Sequence, residues 1–417
     1  MYRIIPCLLL STGLITSCTE QDPAVLEPRQ GEWNMVLHLN GPDLPFRFAL
    51  NKDPAGEWTM HVRNGEEVIV VDDVELRADS FLARMPLFDS EFKGMLLNDS
   101  SIAGYWFNYL KGPDYKVPFH AMADRPSTAI APHDGNAPVD GNWRAHFSAG
   151  TTEAYNAIGI FKSEGTGDVS GTFLTETGDY RYLAGTFRGD SMQLSCFDGS
   201  HAFLFKAALI GDSLIGRFWS GIHWEEPWFA VRDPGYQLRD PDSLTTLREG
   251  YHMVDFSFPD TDGRMVSLQD TVYHGKALMV QVMGSWCPNC MDETRLLNEV
   301  YGKYHEQGLE VVAIAFEKHL DPVRAVEGLR RYRERLNVKY PVLYGGAASK
   351  EVASAQLPFL DHLMSFPTCV FIDRAGVVRR IRTGFYGPGT GNHYEHYKRN
   401  LDTFIQGLLA EHMAATR

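Results

Sequence analysis

Cysteine is scarce in this chain: six residues among 417, at positions 7, 18, 196, 287, 290 and 369. So few cannot staple a fold of this length, and disulfides are not its scaffold. There is one Cys-x-x-Cys and no second ligand pair at compatible spacing, so a structural zinc site is not expected. Positive charge is also short. Against 53 Asp+Glu stand 39 Lys+Arg, a net −14, which discourages binding to nucleic acid or anionic headgroups. Long apolar runs are missing, since the stretch Ile4 to Ile15 is too short to span a bilayer. Helical periodicity is missing from Gly31 to about Asp233, where β-rich runs such as Leu44–Leu50, Val68–Val71 and Ala202–Phe205 alternate with Asn64-Gly65, Asp198-Gly199 and Gly211-Asp212 turns.

What is present is concentrated around Met283-Gly-Ser-Trp286-Cys287-Pro288-Asn289-Cys290. The apolar segment Ala277–Met283, interrupted only by Gln281, reads as a buried strand, and Met291 to Val300 has helical spacing. The two cysteines therefore sit where a strand hands over to a helix. A thiol at a helix N-terminus faces unpaired N–H groups and the positive end of the dipole, so its thiolate is favoured. The thiolate is the species that attacks disulfides. A second cysteine three residues on is one helical turn away, a spacing suited to a small redox ring. Cys287 is expected to be the accessible, lower-pKa thiol.

At these residues the chain resembles the thioredoxin superfamily and, within it, the TlpA-like thiol-disulfide reductases, over about residues 250–417. Trp286-Cys-x-x-Cys290 matches the active-site motif. Glu293 matches a glutamate three residues after the second cysteine, and Ser365-Phe366-Pro367-Thr368 matches the cis-proline segment. The strand aspartate of thioredoxin is Gln281 here, so the resemblance implies Glu293 as the acid/base beside Cys290. It implies Cys287 as attacking thiol and Cys290 as resolving thiol. Trp286, Pro288, Asn289, Phe366, Pro367 and Thr368 would form the substrate groove. No metal or organic cofactor is implied beyond a redox-active Cys287–Cys290 disulfide. The expected partners are protein disulfides of the cell envelope and a membrane electron donor, with no nucleic acid. The entry at Asp255–Leu268 also resembles AhpC/TSA-type peroxiredoxins. A thiol peroxidase is thus the alternative enzyme, although the Pro-x-x-x-Thr-x-x-Cys context is missing, with Val280 and Gly284 at the two positions. A surface ligand-binding lipoprotein with a redox-sensing dithiol is the non-enzyme alternative.

Residues 1–17 are built like a signal peptide, and Ile15-Thr16-Ser17 before Cys18 resembles the bacterial lipoprotein box. Lipidation at Cys18 would anchor the mature chain to a membrane, facing the periplasm or the cell surface. A polar tether follows at 18–30. Two β-modules are expected at 31–125 and 140–233, a linker with two Asp-Pro dipeptides at 234–249, and the α/β thioredoxin-like domain at 250–417. The modules read as related barrels or sandwiches. Gly31-Glu-Trp33 recurs as Gly141-Asn-Trp143, Asp79-Ser80-Phe81 as Asp190-Ser191-Met192, and Ile102-Ala-Gly104-Tyr-Trp106 as Leu214-Ile-Gly216-Arg-Phe-Trp219. Together they are expected to be a separate, disulfide-free unit that positions the catalytic domain without completing its site, and Cys196 is read as a packed core thiol. Trp219, His223, Trp224, Glu225 and Trp228 are expected to close the second core. Gly387-Pro-Gly-Thr-Gly391 is read as a helix start with Asn392 as cap and Glu395 closing a capping box. Arg330 to Arg335 is read as exposed helix surface.

Overall fold

The computed structural model describes residues 26–124, 138–165 and 167–411. Cys18, the leader 1–17 and the first part of the tether lie outside the described residues. The first module is a sheet of nine antiparallel strands, from Gly31–His38 to Lys116–Ala123, with the first strand paired to the last. It is open between Glu67–Val71 and Asp73–Arg77, which gives it a barrel-like form. The second closes completely. Tyr155–Ser163 pairs with both Gly141–Phe147 and Asp168–Thr175, so eight strands form a barrel to which the short strand Gly178–Asp179 is added. That closure decides between barrel and sandwich.

The duplication has a structural counterpart. Trp33 and Trp143 are fully buried, and each indole N–H donates to the carbonyl four residues back, Arg29 and Val139. Gly104 and Gly216 lie so close to a neighbouring strand that a Cβ would fall about 2 Å from the carbonyls of Lys93 and Lys206. The inward residue after each glycine is Trp106 in one barrel and Phe218 in the other. The crowded end of the second barrel divides: Trp228 is buried in its core, but Trp224 is exposed.

The C-terminal domain is a five-stranded sheet in the order Val342–Ala347, Leu309–Glu317, Ala277–Met283, Thr368–Ile372, Val378–Thr383. The first three strands run parallel and the last two antiparallel. Period-2 alternation sends Met279 and Met283 to one face, and Leu278, Val280 and Val282 to the other. Helices α1 (Pro288–Tyr304), α2 (Pro322–Arg335) and α4 (Asn392–Ala410) cover the first face. The short α3 (Lys350–Gln356) and the segment around Val254–Phe258 cover the second. The expected capping box is not made: Gly391 occupies the cap of α4, and no side chain bonds the free N–H groups. The arginine run on α2 is exposed as expected at Arg330, Arg331 and Arg335, with Arg333 half-buried, and three of the four have partners. Arg330 and Arg333 bond Thr261, and Arg335 pairs with Asp72 of the first module.

The three units are packed into one another, so residues 31–233 are less separate from the catalytic domain than expected. The hairpin Ser195–His201 of the second barrel plugs the first. Phe197 stacks on Phe46 at 4.7 Å and meets Trp106 edge-on at 5.0 Å. Asn64 bonds both backbone polar groups of Phe197, and Ser90 and Asn108 take the carbonyls of Gly199 and Ser200. Leu87 and Phe88 of the first module are buried with the dithiol helix. At the centre lies Arg181, whose side chain is about 1 % exposed. Its guanidinium meets Glu67 of the first module, Asp198 of the second and Asp292 of α1. Arg181 has φ 57°, a left-handed conformation rare for arginine, and Asp179 Oδ1 supports it by accepting from the Arg181 N–H.

One cation thus offsets three carboxylates from three parts of the chain. Replacing it leaves those carboxylates buried without their counter-charge. Arg181→Met is expected to lower the free energy of unfolding by about 3–5 kcal/mol in urea denaturation. An unchanged midpoint and slope would overturn this role for Arg181.

Candidate active site

Cys287 is the N-cap of α1 and Pro288 its first residue, a position where a missing N–H costs nothing. The Cys287 sulfur accepts the N–H of Cys290 at 3.4 Å and sits 3.6 Å from the Phe366 carbonyl, to which its thiol donates. The Phe366–Pro367 peptide bond is cis. Both thiols are free, Cys290 fully buried and Cys287 8 % exposed. Cys287 was expected to be accessible. The barrel loops explain the difference, because Ser200 Oγ donates to the Trp286 carbonyl, Arg181 to that of Pro288, and Asn289 Nδ2 to that of Asp179.

The turn before the dithiol is built on Glu317, which the sequence reading did not single out. The N–H and hydroxyl of Ser285 donate to its two oxygens at 2.8 and 2.6 Å. Burial pushes this carboxyl up to about 7 against both bonds. Gly284 is required beside it, since a Cβ would fall 2.3 Å from the Trp286 indole nitrogen and 2.9 Å from the Phe316 carbonyl. Trp286 donates to that carbonyl and meets Phe366 edge-on at 5.7 Å. Lys318 lies 4.1 Å from its ring centroid.

Beneath the dithiol, Gln281 Nε2 donates to Glu293 at 2.9 Å and, more weakly, to the Cys290 carbonyl at 3.4 Å. Its amide is held in that sense by a relay in which Tyr332 donates to Thr294, and Thr294 to Gln281 Oε1. Burial pushes Glu293 up to about 7, although Gln281 and the charge of Arg382 pull it down. Burial, then the Cys287 thiol and the Glu293 charge, push Cys290 well above the usual thiol range. Cys369 is buried opposite Gln281 on the neighbouring strand, and burial raises it too.

Of the residues expected in the groove, Trp286 and Phe366 keep partial exposure at the thiol, whereas Pro288 and Pro367 are buried. Asn289 is turned away, its amide bonded to the second barrel. Thr368 is fully buried, its hydroxyl donating to the Ser365 carbonyl, so it shapes the loop from beneath rather than facing a substrate. Cys196 lies in the core of the second barrel, apart from the dithiol.

Residues 250–381 match the model of the AhpC/TSA family. The thiol-disulfide oxidoreductase ResA of Geobacillus thermodenitrificans is 30 % identical over 140 residues, 34 % of this chain and 72 % of that protein. The thioredoxin-like protein YneN of Bacillus subtilis is 26 % identical over 138 residues, 33 % of this chain and 73 % of its own length. A crystal structure of a thioredoxin-family thiol:disulfide interchange protein from Chlorobium tepidum aligns at 23 % identity and TM-score 0.30, over 39 % of this chain and 98 % of that one. With a strand–Cys-x-x-Cys–helix site and this extent of likeness to ResA, the chain belongs to the thioredoxin superfamily, among its TlpA-like thiol-disulfide oxidoreductases.

Proposed function

We propose that the protein reduces protein disulfides in the cell envelope through Cys287 and Cys290. The supporting observation is Cys287 at the start of α1, Cys290 one turn below it, and the buried Glu293, whose carboxyl and the Cys290 carbonyl share the Gln281 amide as donor. The Cys287 thiolate attacks one sulfur of the substrate disulfide, forming a mixed disulfide, and the displaced substrate thiolate takes up a proton. Glu293 then accepts the Cys290 proton, and the Cys290 thiolate attacks the Cys287 sulfur. The second substrate thiolate leaves as the Cys287–Cys290 disulfide closes. Two electrons pass to the substrate and are restored by an external dithiol donor at the membrane. The Ile15–Cys18 box supports a lipid anchor at Cys18 and a place outside the cytoplasm. Insulin reduction with a dithiol donor, run beside peroxide consumption, tests the reading: rapid insulin reduction with negligible peroxide turnover is expected. Peroxide consumption that outpaced insulin reduction would make the protein a peroxidase.

Replacing Cys290 by alanine removes the resolving thiol. Cys290→Ala is expected to accumulate partner proteins disulfide-linked to Cys287, seen as reductant-sensitive bands on non-reducing gels. Bands that survive in Cys287→Ala/Cys290→Ala would come from another thiol.

Glu293→Gln separates chemistry from stability. Loss of the acid/base is expected to slow insulin reduction by about 10²–10⁴-fold and to remove the rise in rate as pH passes 7. Stability moves the other way. The folded pKa of Glu293 is raised above its unfolded value, so its contribution is fully present below about pH 4.5 and is lost as pH rises through about 7. Glutamine cannot ionise, so the variant is expected to be more stable than the wild type at pH 8, by on the order of 3 kcal/mol, and no more stable at pH 4. Equal unfolding midpoints at pH 8 would show that burial does not raise the Glu293 carboxyl.

A further inference from the structure

Where the three units meet beside the dithiol there is a cavity of about 880 Å³. The first module contributes Lys111, the second barrel Tyr180, His201, Phe203 and His223 at its mouth, and the catalytic domain Lys318. Three features place it near the segments that flank the reacting sulfur. Lys318 lies over the Trp286 ring, His201 follows the serine that bonds the Trp286 carbonyl, and Met364 on the rim is two residues before Phe366.

The lining holds three lysines, Lys111, Lys318 and Lys350, and three glutamates, Glu153, Glu176 and Glu226, of which Lys350 and the Thr152-bonded Glu153 are exposed. Lys111 donates to His223 at 3.2 Å, and among the described residues neither Lys111 nor Lys318 has a carboxylate partner within ion-pair distance. Burial, then repulsion from Lys318, pulls Lys111 down to about 8. Burial and the Lys111 charge pull His223 down to about 4, so the imidazole is neutral and available as acceptor. The deeper carboxylates of the lining are already engaged: Glu176 pairs with Arg239, and Glu226 accepts from Ser148 and Tyr155. His201 is held by Asp198 and stacks on Phe203 at 4.4 Å, forming an aromatic wall. Ammonium groups taken from water without an anion are costly, so such a site gains when an anion enters.

We propose that this cavity recognises a carboxylate side chain of a peptide substrate, carried within a few residues of the disulfide that Cys287 attacks, with an apolar neighbour against Phe203. The proposal rests on Cys287 as the attacking thiol and deepens that reading by naming a substrate class. Lys111 and Lys318 would hold the carboxylate, and the barrel would thereby align the disulfide with the Cys287 sulfur.

The test separates binding from turnover. Matched peptides carrying Glu, Gln or Lys near the cysteine pair are made both as disulfides and as non-reducible thioethers, and titrated into the full chain by tryptophan fluorescence. The Glu thioether is expected to bind about tenfold more tightly than the Gln thioether, and the Lys thioether more weakly than either. The preference should shrink in 0.5 M salt. Lys111→Gln and Lys318→Gln should each reduce it, and Lys111→Arg should retain it, which distinguishes lost charge from lost fold. Equal affinity for the Glu and Gln thioethers, or a preference that survives both glutamine variants, would overturn the proposal whatever the turnover. Tighter binding of the Glu thioether with no reduction of its disulfide form would leave the recognition site standing and remove the reductase reading.

Discussion

One buried guanidinium joins the two β-modules to the helix that carries the dithiol. Arg181 binds carboxylates from both β-modules and from the helix that carries the dithiol, and it reaches the Pro288 carbonyl between the two cysteines. A charge buried this deeply is tolerated only when its partners are fixed in place, so the same contacts that neutralise it also lock three units in one arrangement. The electrostatics are graded around it. Burial raises Glu67 despite Arg181, whereas Asp198, though equally subject to burial, is held below the usual carboxylate range by His201 and Arg181. Asp179, pushed up to about 6 by burial, accepts the Gly387 N–H and fastens the loop before α4 to the same turn.

The catalytic domain places a second pair of raised carboxyls close to the dithiol. Glu317 holds the backbone turn that delivers Trp286 and Cys287, and Glu293 lies below Cys290. Their causes are alike, burial in both cases, but their surroundings give them different work. Glu317 is occupied by the N–H and hydroxyl of Ser285. Glu293 has one donor, an amide turned toward it by the Tyr332–Thr294 relay, and keeps capacity for a proton.

The local chemistry was legible in the sequence. A strand run, a Cys-x-x-Cys at a helix start and a proline segment are each written in a few consecutive residues, and Ala277–Met283 and α1 appear as expected. So were the duplicated β-modules, because repeated glycines and tryptophans mark positions where strands approach closely or fill a barrel. What was not legible depends on long-range contact. Nothing near Arg181 in sequence indicates that it will meet Asp292, and the buried role of Glu317 follows only from the strand end facing Ser285. The reading that Asn392 would cap α4 failed because the Gly387–Gly391 turn is held from outside, by Asp179, leaving Gly391 at the cap. A signal could have been found in the Ser195–His201 segment, whose mix of aromatic and polar residues fits a hairpin buried at both faces.

That hairpin also sets an order of events while the chain is being made. The strands of the first module are complete in sequence before Phe197 is synthesised, yet Phe197, Ala202 and Leu204 belong to its core. The emerging first module therefore has an unfilled aromatic interior until the hairpin of the second barrel arrives, whereas the second barrel closes around a core of its own. The catalytic domain is synthesised last and docks onto a finished surface. Cys290 is buried by the domain's own core, but the turn around Cys287 is covered by barrel groups, so a nascent chain presents Cys287 more openly than the finished protein does.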